Sequence, residues 1–131
     1  MSVALAQVCV DNRLNHELLR IQIHHKLAEL YLQADAIFIM NEVGGNLGEN
    51  FRGVVDMMLA RKNPIVLACV LHHTDCIAHQ MGRRWPMETT IERMSAYLAE
   101  RGVACPLVTG NILTENNHIL WEQVLRVDAN R

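Results

Sequence analysis

Three short apolar runs, separated by stretches with helical periodicity, limit what this chain can fold into more than any other feature. They are "VALAQVCV" (3–10), "AIFIM" (36–40) and "IVLACVL" (65–71). Strands covered on both faces read as continuous apolar runs, because neither face meets water. Between the first two runs, Leu19, Ile23, Leu27, Leu30 and Ala34 recur at three- and four-residue spacing, which predicts an amphipathic helix over roughly 15–34. "FRGVVDMMLARK" sets Phe51, Val54, Val55, Met58 and Leu59 on one side of a second helix, with Met57 and Met58 as core filling and Pro64 closing it. A third helix is expected from near Thr89, where Thr89 and Glu92 have capping-box spacing, to Gly102. "PLVTGNIL", "TENN" and "HILWE" read as strand, turn and strand, a terminal hairpin. Strands alternating with helices predict an α/β fold. Its central sheet is mostly parallel, of about four or five strands flanked by helices, with the last strand antiparallel at one edge.

The 131 residues contain no repeat, low-complexity stretch or Pro/Gly-rich linker, so they are read as one domain, 1–131. Net charge is −2 and no basic run exceeds Arg83-Arg84, which removes the electrostatic footprint of a nucleic-acid binder. No window approaches the roughly 18 apolar residues of a membrane span. The opening "MSVALAQVCV" lacks the basic start of a signal peptide. The expectation is a cytoplasmic protein with neither nucleic acid nor membrane as partner. In a reducing compartment Cys9, Cys69, Cys76 and Cys105 are free thiols or metal ligands rather than disulfides.

Open α/β sheets bind ligands beyond the carboxyl ends of their strands. The first run ends in Cys9-Val10-Asp11-Asn12-Arg13 and the third in His72-His73-Thr74-Asp75-Cys76. If these strands are neighbours, Cys9, His73 and Cys76 converge at that edge. Two thiolates and an imidazole favour zinc. Three protein ligands with a fourth position for water is the arrangement of catalytic rather than structural zinc. Asp11 and Arg13, two residues apart, can form a carboxylate–guanidinium pair that keeps Asp11 ionised. Asp11 is then either an acceptor beside the metal's water or a fourth ligand. Two thiolates cancel the zinc charge and acidify its water less than three histidines would, which gives such a carboxylate more to do.

"CVDNR", a glycine pair and "HHTDC" together resemble the β-class carbonic anhydrases, whose pattern is Cys-x-Asp-Ser/Ala-Arg, then Arg-Asn-Ala-Gly, then His-x-x-Cys. The resemblance extends to "VTGNILTENNHILW", which is similar to that family's last strand, turn and strand. It implies Cys9, His73 and Cys76 as zinc ligands and Asp11 with Arg13 as the dyad beside the metal. The implied activity is reversible hydration of carbon dioxide to bicarbonate by zinc-bound hydroxide. The implied assembly is a homodimer or a set of dimers. Asn12 stands where the family has serine or alanine, and "NEVGG" (41–45) where it has Arg-Asn-Ala-Gly. Ile77 follows the second cysteine in place of glycine. The family's N-terminal helical arm has no counterpart in this sequence, and exposed apolar residues such as Leu14 or Leu18 are expected to make the dimer contact instead.

Gly44, Gly45 and Ile77 are the candidate substrate-binding residues. His72 is expected to point away from His73, as neighbours in a strand do. His24 and His25 are expected on a solvated helix face, and Asp75 as a cap of turn amides. Two alternatives to carbon dioxide chemistry follow from these residues. Ile77 makes the pocket more apolar, which suits hydrolysis of carbon disulfide or carbonyl sulfide. The altered 41–45 loop suits a zinc-stabilised assembly protein without turnover.

Overall fold

Each apolar run forms a strand in the computed structural model, which describes residues 1–129. The strands are β1 (Val3–Val8), β2 (Ala36–Asn41), β3 (Ile65–His73), β4 (Cys105–Leu113) and β5 (His118–Val127). They make one sheet in the order β2-β1-β3-β4-β5, parallel except for β5, which pairs antiparallel with β4 at the edge. The helices are α1 (His16–Glu29), α2 (Glu49–Ala60), α3 (Ile77–Gln80) and α4 (Met87–Glu100), with a 3₁₀ turn at Val43–Gly45. This is the expected α/β architecture.

The two-residue period of the strands divides the core between the two faces of the sheet. Ala4, Ala6, Val8, Leu67, Cys69 and Leu71 meet Leu19, Ile23 and Leu27 of α1. Val3, Leu5, Ala68, Val70 and Leu107 meet Phe51, Val55 and Met58 of α2 and Met94 and Leu98 of α4. With both faces covered, every residue of β1 is buried, and this is why the run carries no polar alternation.

The chain passes from β1 to β2 on one side of the sheet and then returns to β3 on the other side of β1. The carboxyl ends of β1 and β3 therefore flank a topological switch point, the crevice where α/β sheets place their ligands.

Several boundaries differ from the sequence expectation, each for a local reason. Helix α1 stops at Glu29 rather than near 34, because Tyr31 takes a left-handed φ of 57°. Leu30 and Ala34 still pack half-buried against the core from outside the helix. Strand β1 ends at Val8, which leaves Cys9 beyond it. Strand β3 continues through His73, because His72 and His73 pair with Asn111 and Ile112 of β4. Strand β5 runs to Val127 because its pairing follows β4 back to Cys105.

The capping box at Thr89 does not form. Helix α4 begins at Met87 after Pro86, with no side-chain cap, so Thr89 already lies in the first turn. Leu14, expected at the surface, is buried, whereas Leu18 is exposed. Only one methionine of its pair fills the core: Met58 is buried and Met57 is 42% exposed. No helix among the described residues is long and apolar enough to cross a membrane.

Candidate metal centre

Cys9 lies just past β1, His73 is the last residue of β3, and Cys76 precedes α3. All three are buried. Asp75, with a left-handed φ of 54°, turns the chain so that Cys76 faces back toward His73. The loop is tied to β4: the Thr74 N–H donates to the Ile112 carbonyl at 3.0 Å, and the Thr74 and Thr114 hydroxyls are 3.0 Å apart. The donor atoms of Cys9, His73 and Cys76 lie within 4.8 Å of one another.

Two observations test whether these residues fit a metal. The first is the imidazole of His73. Its Nδ1 is 2.7 Å from the Thr74 carbonyl oxygen. A carbonyl only accepts, so Nδ1 carries the proton and Nε2 presents a lone pair, the usual arrangement behind a metal-bound histidine. That Nε2 is buried and has no hydrogen-bond partner, which is costly for a nitrogen without a ligand. The second is the separation of the sulfurs, 4.0 Å between Cys9 Sγ and Cys76 Sγ. Two thiolates on one tetrahedral zinc sit about 3.8 Å apart, given Zn–S bonds of about 2.3 Å. The residues present fit a zinc ion.

Burial pushes the Cys9 thiol up, while backbone hydrogen bonding from Gly44 pulls it down and the neighbouring Cys76 sulfur raises it further. Two buried thiols this close stabilise a cation between them far better than they accommodate two uncompensated negative charges.

Asp11 stands beside this group. Its Oδ1 accepts from the Arg13 backbone N–H at 2.8 Å and from Arg13 Nε at 3.0 Å, and its Oδ2 accepts from Arg13 Nη2 at 2.7 Å. The Arg13 side-chain hydrogen bonds hold the Asp11 carboxyl down at about 2 against the opposing effect of burial. Oδ2 is 3.9 Å from His73 Nε2. Arg13 Nη2 also donates to the Asp75 carbonyl at 3.0 Å, which spans the gap between the two ligand loops. Asp75 thus takes part through its carbonyl and its turn, and none of the described hydrogen bonds uses its carboxylate as the expected amide cap.

A cavity of about 530 Å³ opens beside Cys9 and the Asp11–Arg13 pair. Cys9, Asp11 and Arg13 line it together with the apolar Val10, Val43, Ile77 and Met81, and Asn12 is at its rim. Ile77 is 64% exposed at the mouth. Val43 represents the glycine turn in this wall. Gly44 and Gly45 lie behind it, with left-handed φ of 67° and 71°. Asn41 and Glu42 are engaged elsewhere: Asn41 Oδ1 is 3.0 Å from His16 Nε2, and Glu42 accepts from the Val43 N–H.

His72 projects to the opposite face, as its place in the strand requires, and is buried there with Nε2 unpartnered. Burial, with Arg84 and His73 adding to it, pulls its pKa down to about 4, so it is neutral. His24 and His25 are exposed on α1.

Two residues around the site carried no signal in the sequence. Asn117, buried in the β4–β5 turn, accepts from the Asn15 N–H at 2.8 Å and donates to the Arg13 carbonyl at 3.1 Å. It fixes the loop that carries Asp11 and Arg13. Arg84 Nη1 donates to the His73 carbonyl at 3.2 Å. Asn117 bridges segments far apart in the chain and Arg84 reaches back across α3, and no local pattern encodes either contact.

No family model and no curated protein matches the chain. Solved structures do. A carbonic anhydrase from Streptococcus mutans superposes with a TM-score of 0.54 at 15% identity, covering 92% of this chain and 81% of that one. The β-carbonic anhydrase of the fungal pathogen Aspergillus fumigatus gives 0.50 at 11% identity, covering 92% and 74%. At such identities the likeness concerns architecture and leaves chemistry to the residues. The chain therefore has the β-carbonic anhydrase fold.

Proposed function

We propose that this protein is a zinc lyase that interconverts carbon dioxide and bicarbonate. The observation that carries the reading is the unpartnered Nε2 of His73, buried against two thiols 4.0 Å apart and 3.9 Å from an Asp11 oxygen that Arg13 orients. Cys9, His73 and Cys76 would hold the zinc. When bound, zinc supplies the Lewis acidity that makes water a nucleophile near neutral pH.

The remaining work falls to the chain. Asp11 is held ionised, so it accepts a hydrogen bond from the nucleophile and orients it toward the carbon. Arg13 engages both Asp11 oxygens, which supports a carboxylate kept off the metal and a fourth position left for solvent. Val10, Val43, Ile77 and Met81 give the cavity an apolar wall suited to a small linear substrate without charge. Gly44 and Gly45 act from behind that wall by shaping the turn against Cys9. Exposed Val10, Ile77 and Met81 at the mouth support a second copy of the chain closing the cavity, as in a homodimer.

A stopped-flow assay of carbon dioxide hydration on zinc-loaded protein tests the proposal. A rate no faster than buffer overturns it. Ile77 favours one further reading, since a branched side chain at the mouth suits carbon disulfide or carbonyl sulfide. Sulfide release from either compound, at a rate above carbon dioxide turnover, would select it.

A further inference from the structure

One side chain outside the ligand group fastens the turn behind Cys9 to the segment that follows α3. Asn46 comes directly after the turn Val43–Gly45. Its Nδ2 donates to the Arg83 carbonyl at 2.8 Å, and its Oδ1 accepts from the Trp85 backbone N–H at 2.9 Å. By donating to one residue and accepting from the next but one, a side-chain amide imitates a rung of β-pairing.

Between those two anchor points, Arg84 presses on the turn. A Cβ on Gly44 would lie 2.9 Å from Arg84 Cα, so only glycine lets the two backbones meet. Arg84 also reaches the His73 carbonyl. On its other side the turn abuts both Cys9 and strand β3: a Cβ on Gly45 would be 3.6 Å from the Cys9 nitrogen and 3.3 Å from the Leu71 carbonyl oxygen. The turn and residues 83–85 thus form a brace that touches Cys9 at one end and His73 at the other. Asn46 holds its two halves together.

We propose that Asn46 is a positioning residue for the metal centre, setting through the Val43–Gly45 turn and Arg84 how the Cys9 sulfur and the His73 ring face each other. The inference rests on Cys9, His73 and Cys76 binding metal and on no particular substrate. The close approach of Gly45 to the Cys9 backbone nitrogen gives the turn a direct hold on that ligand.

The test compares wild type with Asn46→Ala and Asn46→Asp, using zinc affinity by chelator competition and the sulfur-to-cobalt charge-transfer band of the cobalt(II) form. Asn46→Ala is expected to weaken zinc by about tenfold or more, the usual effect of removing support behind a ligand, and to shift the band. Asn46→Asp keeps the acceptor for Trp85 and loses the donor to Arg83, so it should fall between. If the alanine variant does not fold, the aspartate variant carries the same two readouts. A lowered melting temperature of the metal-free protein, with zinc affinity within twofold of wild type and an unmoved band, would mean a merely structural role and overturn the inference. Failure of the wild type itself to bind zinc or cobalt would overturn the metal reading and this inference together, whereas zinc binding without carbon dioxide turnover would leave this inference standing.

Discussion

The carboxyl edge of the sheet and its interior each hold two buried cysteines, and the pairs differ in what converges on them. Cys69 sits within β3 on the α1 side, and Cys105 begins β4 on the side of α2 and α4. Burial pushes the Cys69 thiol far above its ordinary range and Cys105 up to about 11. Neither belongs to a converging group of three or more metal-donor side chains among the described residues, and with their thiols pushed up both stay protonated and inert. Cys9 and Cys76 are as well buried, but they lie where β1 and β3 have ended. There the loops bring a second sulfur, an imidazole lone pair and backbone amides to one point. The neighbouring histidines repeat the lesson: His72 is neutral in the core, while His73 has its tautomer set by Thr74. Burial makes a thiol quiet, and convergence beyond the strand ends makes it a candidate ligand.

The strongest way to break this comparison is to exchange the fates of the two pairs. Cys76→Ser or Cys9→Ser should abolish zinc retention and lower carbon dioxide hydration by a factor on the order of 10³ or more. Cys69→Ala should keep zinc at the wild-type stoichiometry and cost about 1–2 kcal/mol of stability from the lost packing. Metal analysis and denaturant titration check both. Zinc loss in Cys69→Ala would remove the distinction between edge and interior.

A smaller effect separates holding the metal from using it. Asp11→Asn should retain zinc while hydration falls on the order of 10²-fold, since the amide presents a donor where the carboxylate only accepts. Equal loss of zinc in this variant would make Asp11 a fourth ligand instead.

The same carboxylate gives a pH signature in the metal-free protein. Its folded pKa of about 2 lies below the ordinary 3.8 because of Arg13. Its stabilisation is therefore fully present above pH 3.8 and lost as pH falls through about 2. Thermal melts should show wild type above Asp11→Asn at pH 6, with the gap closing toward pH 2. A gap that persists unchanged at the acid end would contradict the pairing.

The smallest change concerns the mouth of the cavity. Ile77→Ala should alter stability by no more than about 0.5 kcal/mol, as expected for an exposed side chain. It should shift the ratio of carbonyl sulfide to carbon dioxide turnover a few-fold toward carbon dioxide. An unchanged ratio would remove Ile77 from substrate selection.

How much of this was legible in the sequence follows from how local each signal is. Three of the four parallel strands stood out because covering both faces leaves an unbroken apolar run, and the order of strands and helices then implied the sheet. His73 and Cys76 were legible from their spacing, and Cys9, Asp11 and Arg13 from theirs. Joining the two motifs needed only that β1 and β3 be neighbours, which they are. What escaped was set by contacts distant in the chain. The extension of β3 through His73 comes from its pairing with β4, and the burial of Leu14 from the core beneath α1. The short α3 offers too few residues for a period. Thr89 and Glu92 had the right spacing for a cap, but Pro86 begins the helix upstream of them. Asn46, Arg84 and Asn117 each bridge separate loops, and nothing in their own neighbourhood marks them.

The most direct test of the central claim measures zinc content and carbon dioxide hydration on one purified sample, before and after a chelator and again after zinc is restored. The account predicts about one zinc per chain, hydration well above buffer, loss of both with the chelator and recovery of both with zinc. Protein that holds its full zinc and leaves the hydration rate at that of buffer would contradict it.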